Sequence, residues 1–275
     1  MASGFAFPSG SAGHHSSVIL RGLSNQMHVV GALILRELHT RFGRNNIGYL
    51  WIIAEPMMLA TAVAGIHVGS HSRYGMDIQP VPFTLNGYCL FMIFRSVIGR
   101  SESTLQSNRP LLYHRQVTIF DMLLARALLD GISIAATMVI LFAGAYALDL
   151  SDLPAKPLLL MAAIFYMTWF SFAVSMLVCW GTQASHIFER LLHPITYLLM
   201  PISGGFYLLK WIPEPYRDWL WYFPMVQIFE LGRTGVFASF DSPYYDHMYI
   251  VGSCLVLTWL GMISLRIARR QVHLH

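Results

Sequence analysis

Six stretches of the chain, near 47–69, 81–99, 120–148, 157–181, 191–209 and 248–267, are long and apolar enough to cross a bilayer as helices. A hydrocarbon core of about 30 Å needs about 20 apolar residues in helical form. Lipid offers backbone groups no hydrogen-bond partner, so a spanning segment must be a helix or part of a closed barrel. Barrel strands would alternate apolar and polar residues over segments of about 10 residues, and no such pattern occurs here. Only 12% of the residues are charged and 55% are hydrophobic, against roughly 25% charged in soluble domains. Such a chain cannot cover its own surface with polar groups. The expectation is an all-α polytopic membrane protein with six transmembrane helices.

Charge bias sets the orientation. With the N-terminus in the cytoplasm, Arg73, Lys156, Lys210, Arg217 and Arg233 fall outside, and the other thirteen of the 18 Lys and Arg residues fall inside. Acidic residues lean outward, Glu230 and Asp241 among them. Six spans return the C-terminus to the cytoplasm, where the basic RIARRQVHLH tail agrees. The start, MASGFAFPSGSAGHHSS, has no basic region leading into an apolar core. It reads as a flexible tail over 1–26 rather than a signal peptide, which leaves targeting to the first span. Residues 27–275 then form one transmembrane domain: an interface helix over 27–44, spans over 47–267 and a cytoplasmic tail.

In the interface helix, Met27, Val30, Ile34, Leu35, Leu38 and Phe42 share one stripe, with Arg36, His39 and Thr40 opposite. Arg41, Val29 and Leu33 break the pattern. The stripe predicts an amphipathic helix in the headgroup plane; packing on protein is the alternative. An elbow at Asn45-Asn46 leads into the first span, where Tyr49 and Trp51 suit the interfacial belt and Glu55-Pro56 interrupts an apolar run.

The fifth span, LLHPITYLLMPISGGFYLL, is broken by His193-Pro194, Pro201 and Gly204-Gly205. Proline removes a helical hydrogen bond and clashes with the preceding turn. Irregular backbone at membrane depth persists only when buried or lining a wet cavity. The segment Lys210–Phe237 is too polar for a further span and too aromatic for an ordinary loop. Trp211, Tyr216, Trp219, Trp221 and Tyr222 predict short re-entrant helices between spans five and six. On the cytoplasmic side, Arg100, Arg109 and Arg115 surround Leu111, Leu112 and Tyr113. An apolar centre with a basic rim reads as a docking surface, or as a contact with the chain's own N-terminal helix.

Catalytic and nucleotide-binding patterns are missing. No Gly-Lys dipeptide occurs, so there is no phosphate-binding loop. GxSxG and HExxH are absent as well. Cys89, Cys179 and Cys254 lie in apolar runs with no CxxC, and neither disulfides nor a metal site are expected. The histidines at 14, 15, 273 and 275 read as solvated. Intramembrane ionisable groups are functional candidates, and Glu55 and Arg95 qualify, although snorkelling alone would account for Arg95. Arg126 and Asp130, at i and i+4, predict a pair within one helix. Gly65-x-x-x-Gly69 would permit close helix approach.

Three blocks carry a resemblance. RFGRNNIGYLWIIAEP is similar to the corresponding elbow of the permease subunits of type 2 ABC transporters. FRSVIGRSESTLQSNRPLLYHRQVTIFDMLLARALLD and ERLLHPITYLLMPISGGFYLLKWIPEPYRDWLWYFPMVQIFELGRTGVF resemble the capsular-polysaccharide exporters of that family. The likeness runs from about Met27 to Gln271. It implies a homodimer of six-span subunits in the bacterial inner membrane, joined to two ATPase subunits that handle ATP and Mg; this chain binds no cofactor, metal or nucleic acid itself. It implies a lipid-linked polysaccharide, often acidic, as cargo, with a periplasmic adaptor of the co-polymerase type and an outer-membrane channel continuing the route. The helix before the first span and the short helix after the second contact the ATPase. Arg36, Arg41, Arg109, Leu111, Leu112, Tyr113 and Arg115 are the docking candidates. The polymer path would run past Tyr49, Trp51, Glu55, Arg95, Arg100, Phe206 and Tyr207. Aromatic faces there would stack on sugar rings, and arginines would attract anionic groups. The rival readings are an O-antigen or teichoic-acid exporter, an ion-coupled secondary transporter, and a membrane-embedded transferase. Acid groups on several helices or internal repeats would mark the second, a clustered catalytic motif the third. Neither is evident.

Overall fold

The computed structural model describes residues 12–42, 54, 57–58, 61–62, 78–104 and 117–272. Among them are eight α-helices and one 3-10 turn. In chain order they are α1 (Ala12–Phe42), α2 (Pro80–Ser101), α3 (Ile119–Ala147), α4 (Pro157–Ala184), α5 (His186–Ile202), the 3-10 turn Leu209–Trp211, α6 (Tyr216–Trp221), α7 (Pro224–Val236) and α8 (His247–Val272). No strand occurs among the described residues. Four helices are long and apolar enough to span a membrane: α2, α3, α4 and α8 up to Arg269. They match the expected second, third, fourth and sixth spans to within a few residues. The first expected span, with Gly65 and Gly69, lies outside the described residues.

Local chemistry explains the boundaries. Proline opens α2, α4 and α7, where its missing N–H costs nothing and its fixed φ suits a first turn. α3 begins with a capping box: Asp121 N–H donates to Thr118 Oγ1, and the Thr118 backbone N–H donates to Asp121 Oδ2. The hydroxyls of Thr137, Thr168, Ser171, Thr258 and Ser264 each donate to the carbonyl four residues back in their own helix. A hydroxyl satisfied in this way can sit in lipid or core without a partner from another helix.

α4 is the centre. It packs against α2, α3, α7 and α8, and glycines on its neighbours admit the close approach. A Cβ on Gly131 of α3 would meet Thr168 Oγ1 at 2.6 Å, and one on Gly261 of α8 would meet Met176 Cβ at 2.8 Å. The main core joins α2, α4 and α7 through Phe91, Phe94, Met167, Phe170 and Phe229. A second core, with Val30, Leu33, Val97, Met122, Phe172 and Leu265, joins α1 to the end of α2, the start of α3 and the ends of α4 and α8. The outer faces are apolar too: Ile132 and Val139 on α3, Leu158 and Phe165 on α4, and Val256 and Trp259 on α8 are exposed. Exposed apolar area on this scale needs a non-aqueous neighbour.

Three expectations change. First, α1 begins at Ala12, so residues 12–26 are helix rather than tail; Ile19 and Leu23 extend the four-residue apolar spacing upstream. Second, the buried face of α1 is Val30, Leu33 and Glu37, whereas Met27 and Leu35 are exposed. Leu33, which breaks the sequence stripe, belongs to the contact. The helix therefore packs on α3 along one face and leaves part of its apolar stripe uncovered. Third, the fifth span is shorter than expected. α5 runs through Pro194 and Pro201 and stops at Ile202 after 17 residues, followed by a turn in which Gly204 has φ +93°. That left-handed conformation favours glycine.

α7 meets the start of α4 backbone to backbone. The Lys156 N–H donates to Gly235 O at 2.9 Å, and a Cβ on Gly235 would lie 2.6 Å from Leu160 N. Gly235→Ala should therefore cost roughly 1–3 kcal/mol, read as a fall in the thermal midpoint of the detergent-solubilised protein. Gly99→Ala, where nothing lies within 4 Å, should show no such fall.

Candidate functional site

Three polar clusters sit in this apolar bundle, and α2 touches all of them. The first lies where α1, α2 and α3 meet. Arg126 Nε of α3 is 3.2 Å from Glu37 Oε1 of α1. The same guanidinium donates through Nη1 to the Arg100 carbonyl at 3.1 Å and to Thr104 Oγ1 at 2.7 Å. It thereby takes up carbonyl capacity that α2 leaves open at its C-terminal end. Arg100 Nη1 lies 3.2 Å from Asp130 Oδ1. Gln26 Nε2 of α1 donates to Asp121 Oδ1, in the cap of α3, at 2.9 Å.

This geometry corrects the expected pair within α3. Arg126 and Asp130 share a helix face, yet each reaches across to a different helix, because Glu37 and Arg100 arrive within ion-pair distance. Arg100, a path candidate by sequence, pairs with Asp130 while its side chain stays partly exposed. Arg36 is half-buried, with Nη2 3.9 Å from Glu37 Oε2, and Arg41 lies in the last turn of α1. Arg109, Leu111, Leu112, Tyr113 and Arg115 lie outside the described residues, as do Tyr49, Trp51 and Glu55.

The second cluster is the seam between α2 and α5. α5 stands off the bundle, with Leu192 and Thr196 its buried side chains. Two polar contacts one turn apart tie it to α2. His193 Nε2 is 3.4 Å from Glu102 Oε2. Arg95 donates through Nη2 to Tyr197 Oη, and its guanidinium sits 4.2 Å from the centre of the Tyr197 ring. A guanidinium stacked on an aromatic face keeps further donors for an anion. Arg95 is therefore held by a specific partner in addition to any snorkelling. The exposed side of α5 around it carries Arg190, Leu191, Tyr197, Leu198 and Ile202.

The third cluster is buried at the far end of α2. Glu230 and Arg233 of α7 are almost wholly buried, with Arg233 Nη1 donating to Glu230 Oε1 at 3.0 Å. Glu230 Oε1 also accepts the Leu209 N–H at 3.1 Å, and Oε2 accepts the Ser242 hydroxyl at 2.7 Å. Arg233 Nη2 donates to the Gly204 carbonyl, and the guanidinium lies 4.6 Å from the Phe83 ring centre. One ion pair thus joins the end of α5, the 3-10 turn, α7, the loop before α8, and α2. The turn presses on α2 so closely that a Cβ on Gly87 would clash with the Gly205 carbonyl. Phe206 packs on the core beside it, and the Tyr207 hydroxyl donates to Ile202 O at 2.7 Å. The path candidates Phe206 and Tyr207 therefore flank the break in α5.

Charge counting places Glu230 and Arg233 on the outer side, in the segment expected to form short re-entrant helices, and the fold buries both in α7. The signal was readable as an i, i+3 acid–base pair inside the apolar run QIFELGRTGVF. Tyr197 and Glu37 were missed for another reason: their partners lie about a hundred residues away in sequence.

A family model described as ABC-2 type transporter matches residues 28–237. The capsule polysaccharide export inner-membrane protein CtrC of Neisseria meningitidis serogroup A is 30% identical over 248 residues, 90% of this chain and 94% of that protein. BexB of Haemophilus influenzae, also a capsule polysaccharide export inner-membrane protein, is 28% identical over 246 residues, 90% and 93% of the two chains. The polysialic acid transport protein KpsM of Escherichia coli is 30% identical over 252 residues, 89% and 95%.

Removing one member of a buried ion pair strands the other charge. Arg126→Met should destabilise the protein by roughly 2–4 kcal/mol, and the double variant Glu37→Leu/Arg126→Met should recover more than half of the loss in denaturant unfolding of the micellar protein.

Proposed function

The chain belongs to the ABC-2 type transporter family, and from that premise we propose how it moves its cargo. It is the membrane permease subunit of a capsular-polysaccharide export system, a multi-pass protein of the inner membrane. It is not the nucleotide-binding component. In the proposed assembly two copies pair and two separate ATPase subunits bind their cytoplasmic side, through α1 and the segment after α2. Both termini lie in the cytoplasm, and six spans cross the membrane, with α6 and α7 dipping back from the outer surface. A periplasmic adaptor and an outer-membrane channel receive the polymer.

The observation that carries this reading is the isolation of α5. A helix with two buried side chains and a nearly continuous exposed face is incomplete in a single copy. In a transporter of a long polymer, that face and the α2 seam border the path. A polymer cannot be enclosed in a closed pocket, so it needs a continuous groove between protomers. Arg95 and Tyr197 give the groove an aromatic platform and a cation, which suit an acidic sugar or the phosphate of a lipid carrier. On this reading Tyr49, Trp51, Phe206 and Tyr207 are the further stacking residues, and Glu55 either serves the same hydrated route or pairs with an arginine. ATP and Mg stay on the partner subunit.

Arg95→Ala should lower surface capsule at least about tenfold, the scale of one lost charge-assisted hydrogen bond, while co-purification with the ATPase stays normal. Addition of a lipid-linked acidic polysaccharide should raise ATP hydrolysis by the wild-type complex in nanodiscs. Full surface capsule in the Arg95→Ala strain would remove this residue from the path.

A further inference from the structure

Two buried groups at the α2–α7 contact are each short of a partner, and they complement one another. Arg233 directs Nη1 to Glu230 and Nη2 to Gly204, but its Nε–H meets no acceptor. Asn86 is 0% exposed, and neither its Oδ1 nor its Nδ2 has a partner. Both face the same interface. Arg233 lies against Phe83, and Asn86 comes just under one turn later on α2. Gly232 lies beside Asn86: a Cβ there would come within 2.8 Å of Leu90 Cδ1 and 3.2 Å of Asn86 Oδ1. An arginine side chain is long enough to reach an acceptor one helical turn away, and here no side chain of residue 232 obstructs it.

We propose that Asn86 is a positioning residue for transport, the second berth of the Arg233 guanidinium. The proposal rests on the transport reading above. In the arrangement described, Arg233 holds the Gly204 carbonyl and so holds the turn that ends α5 against α2. When the turn swings away to let polymer leave, that hydrogen bond breaks inside an apolar core. A buried guanidinium that loses a carbonyl needs another acceptor, and the Asn86 carbonyl oxygen, itself buried and unpartnered, is an acceptor this interface offers. Arg233 then keeps Glu230 throughout and exchanges Gly204 for Asn86. The unpaired amide weakens the closed arrangement and stabilises the open one, which lowers the cost of release.

The test follows turn opening without requiring transport. Ser203 is wholly buried in the turn, so a Ser203→Cys thiol reacts with a water-soluble maleimide only when the turn moves. In the full-length chain with its ATPase in nanodiscs, Asn86→Leu should slow that labelling about fivefold, the factor one net hydrogen bond is worth. Its thermal midpoint should be unchanged or higher. Asn86→Asp, which keeps an acceptor, should label at the wild-type rate or faster. Surface capsule should fall with Asn86→Leu and recover with Asn86→Asp. An unchanged labelling rate in Asn86→Leu overturns the proposal, and so does equal slowing by both substitutions. Should Asn86→Leu fail to assemble, slowed labelling in Asn86→Asp alone overturns it. If labelling follows the expected pattern but the wild-type chain exports no capsule, the switch stands and the transport reading falls.

Discussion

A helix that stops inside an apolar core leaves carbonyls and N–H groups with no water to take them up, and the Glu230–Arg233 pair meets that need where α5 ends. α5 gives out at Ile202, and the chain turns through Gly204 and Gly205 before the 3-10 turn at Leu209. Its Gly204 carbonyl and Leu209 N–H would be stranded in the core. Arg233 takes the first and Glu230 the second. Glu230 also takes the Ser242 hydroxyl, which fixes the approach to α8. Buried ion pairs recover little net stability once desolvation is counted. Their value here is positional: two charges determine where four backbone segments may lie.

The same device appears at the opposite end of α2. There Arg126 takes the Arg100 carbonyl and the Thr104 hydroxyl while pairing with Glu37. A guanidinium suits both places because it offers five donors on one flexible stem and stays charged when buried. Around Arg233, glycine is its counterpart. Gly87 and Gly235 bring backbones so close that even a methyl group would intrude, and Gly232 leaves room for the Leu90 and Asn86 side chains. Arg233 satisfies the Gly204 carbonyl of the turn that this close packing holds in the core.

The fold was legible in the sequence wherever the signal was local. Runs of apolar residues placed α2, α3, α4 and α8 to within a few residues, and the Pro–Gly punctuation of α5 marked the break. The site was less legible, because its contacts are not local. Glu37 reads as one acid on an amphipathic helix, and only the fold brings Arg126 to it. Arg126 and Asp130 look like an i, i+4 pair because spacing says nothing of nearer partners on other helices. Glu230 and Arg233 were placed on the outer side by charge counting, which says nothing of whether two opposite charges bury one another. Tyr197 carries no charge and stands between two leucine-rich turns, so nothing in the sequence singles it out; its role follows from Arg95 lying on its ring.

α2 is the element common to all of this. Its 22 residues make a rod of about 33 Å, and it is the most buried of the four long apolar helices. At one end its Arg100, with Thr104 just beyond it, is tied to α3 and through Arg126 to α1. At the other, Phe83, Asn86 and Gly87 face the turn that closes off α5, and between them Arg95 holds Tyr197. A packed helix is stiff along its axis, so a displacement imposed at one end reaches the other with little loss. In the proposed assembly, an ATPase docked on α1 would act on α2 through Glu37 and Arg126, and α2 is the surface on which the Gly204–Gly205 turn rests. Coupling between the two faces of the membrane then needs no chain of side-chain rearrangements through the bilayer. It needs one rigid helix with an ion pair at each end, and a glycine turn that can lift from it.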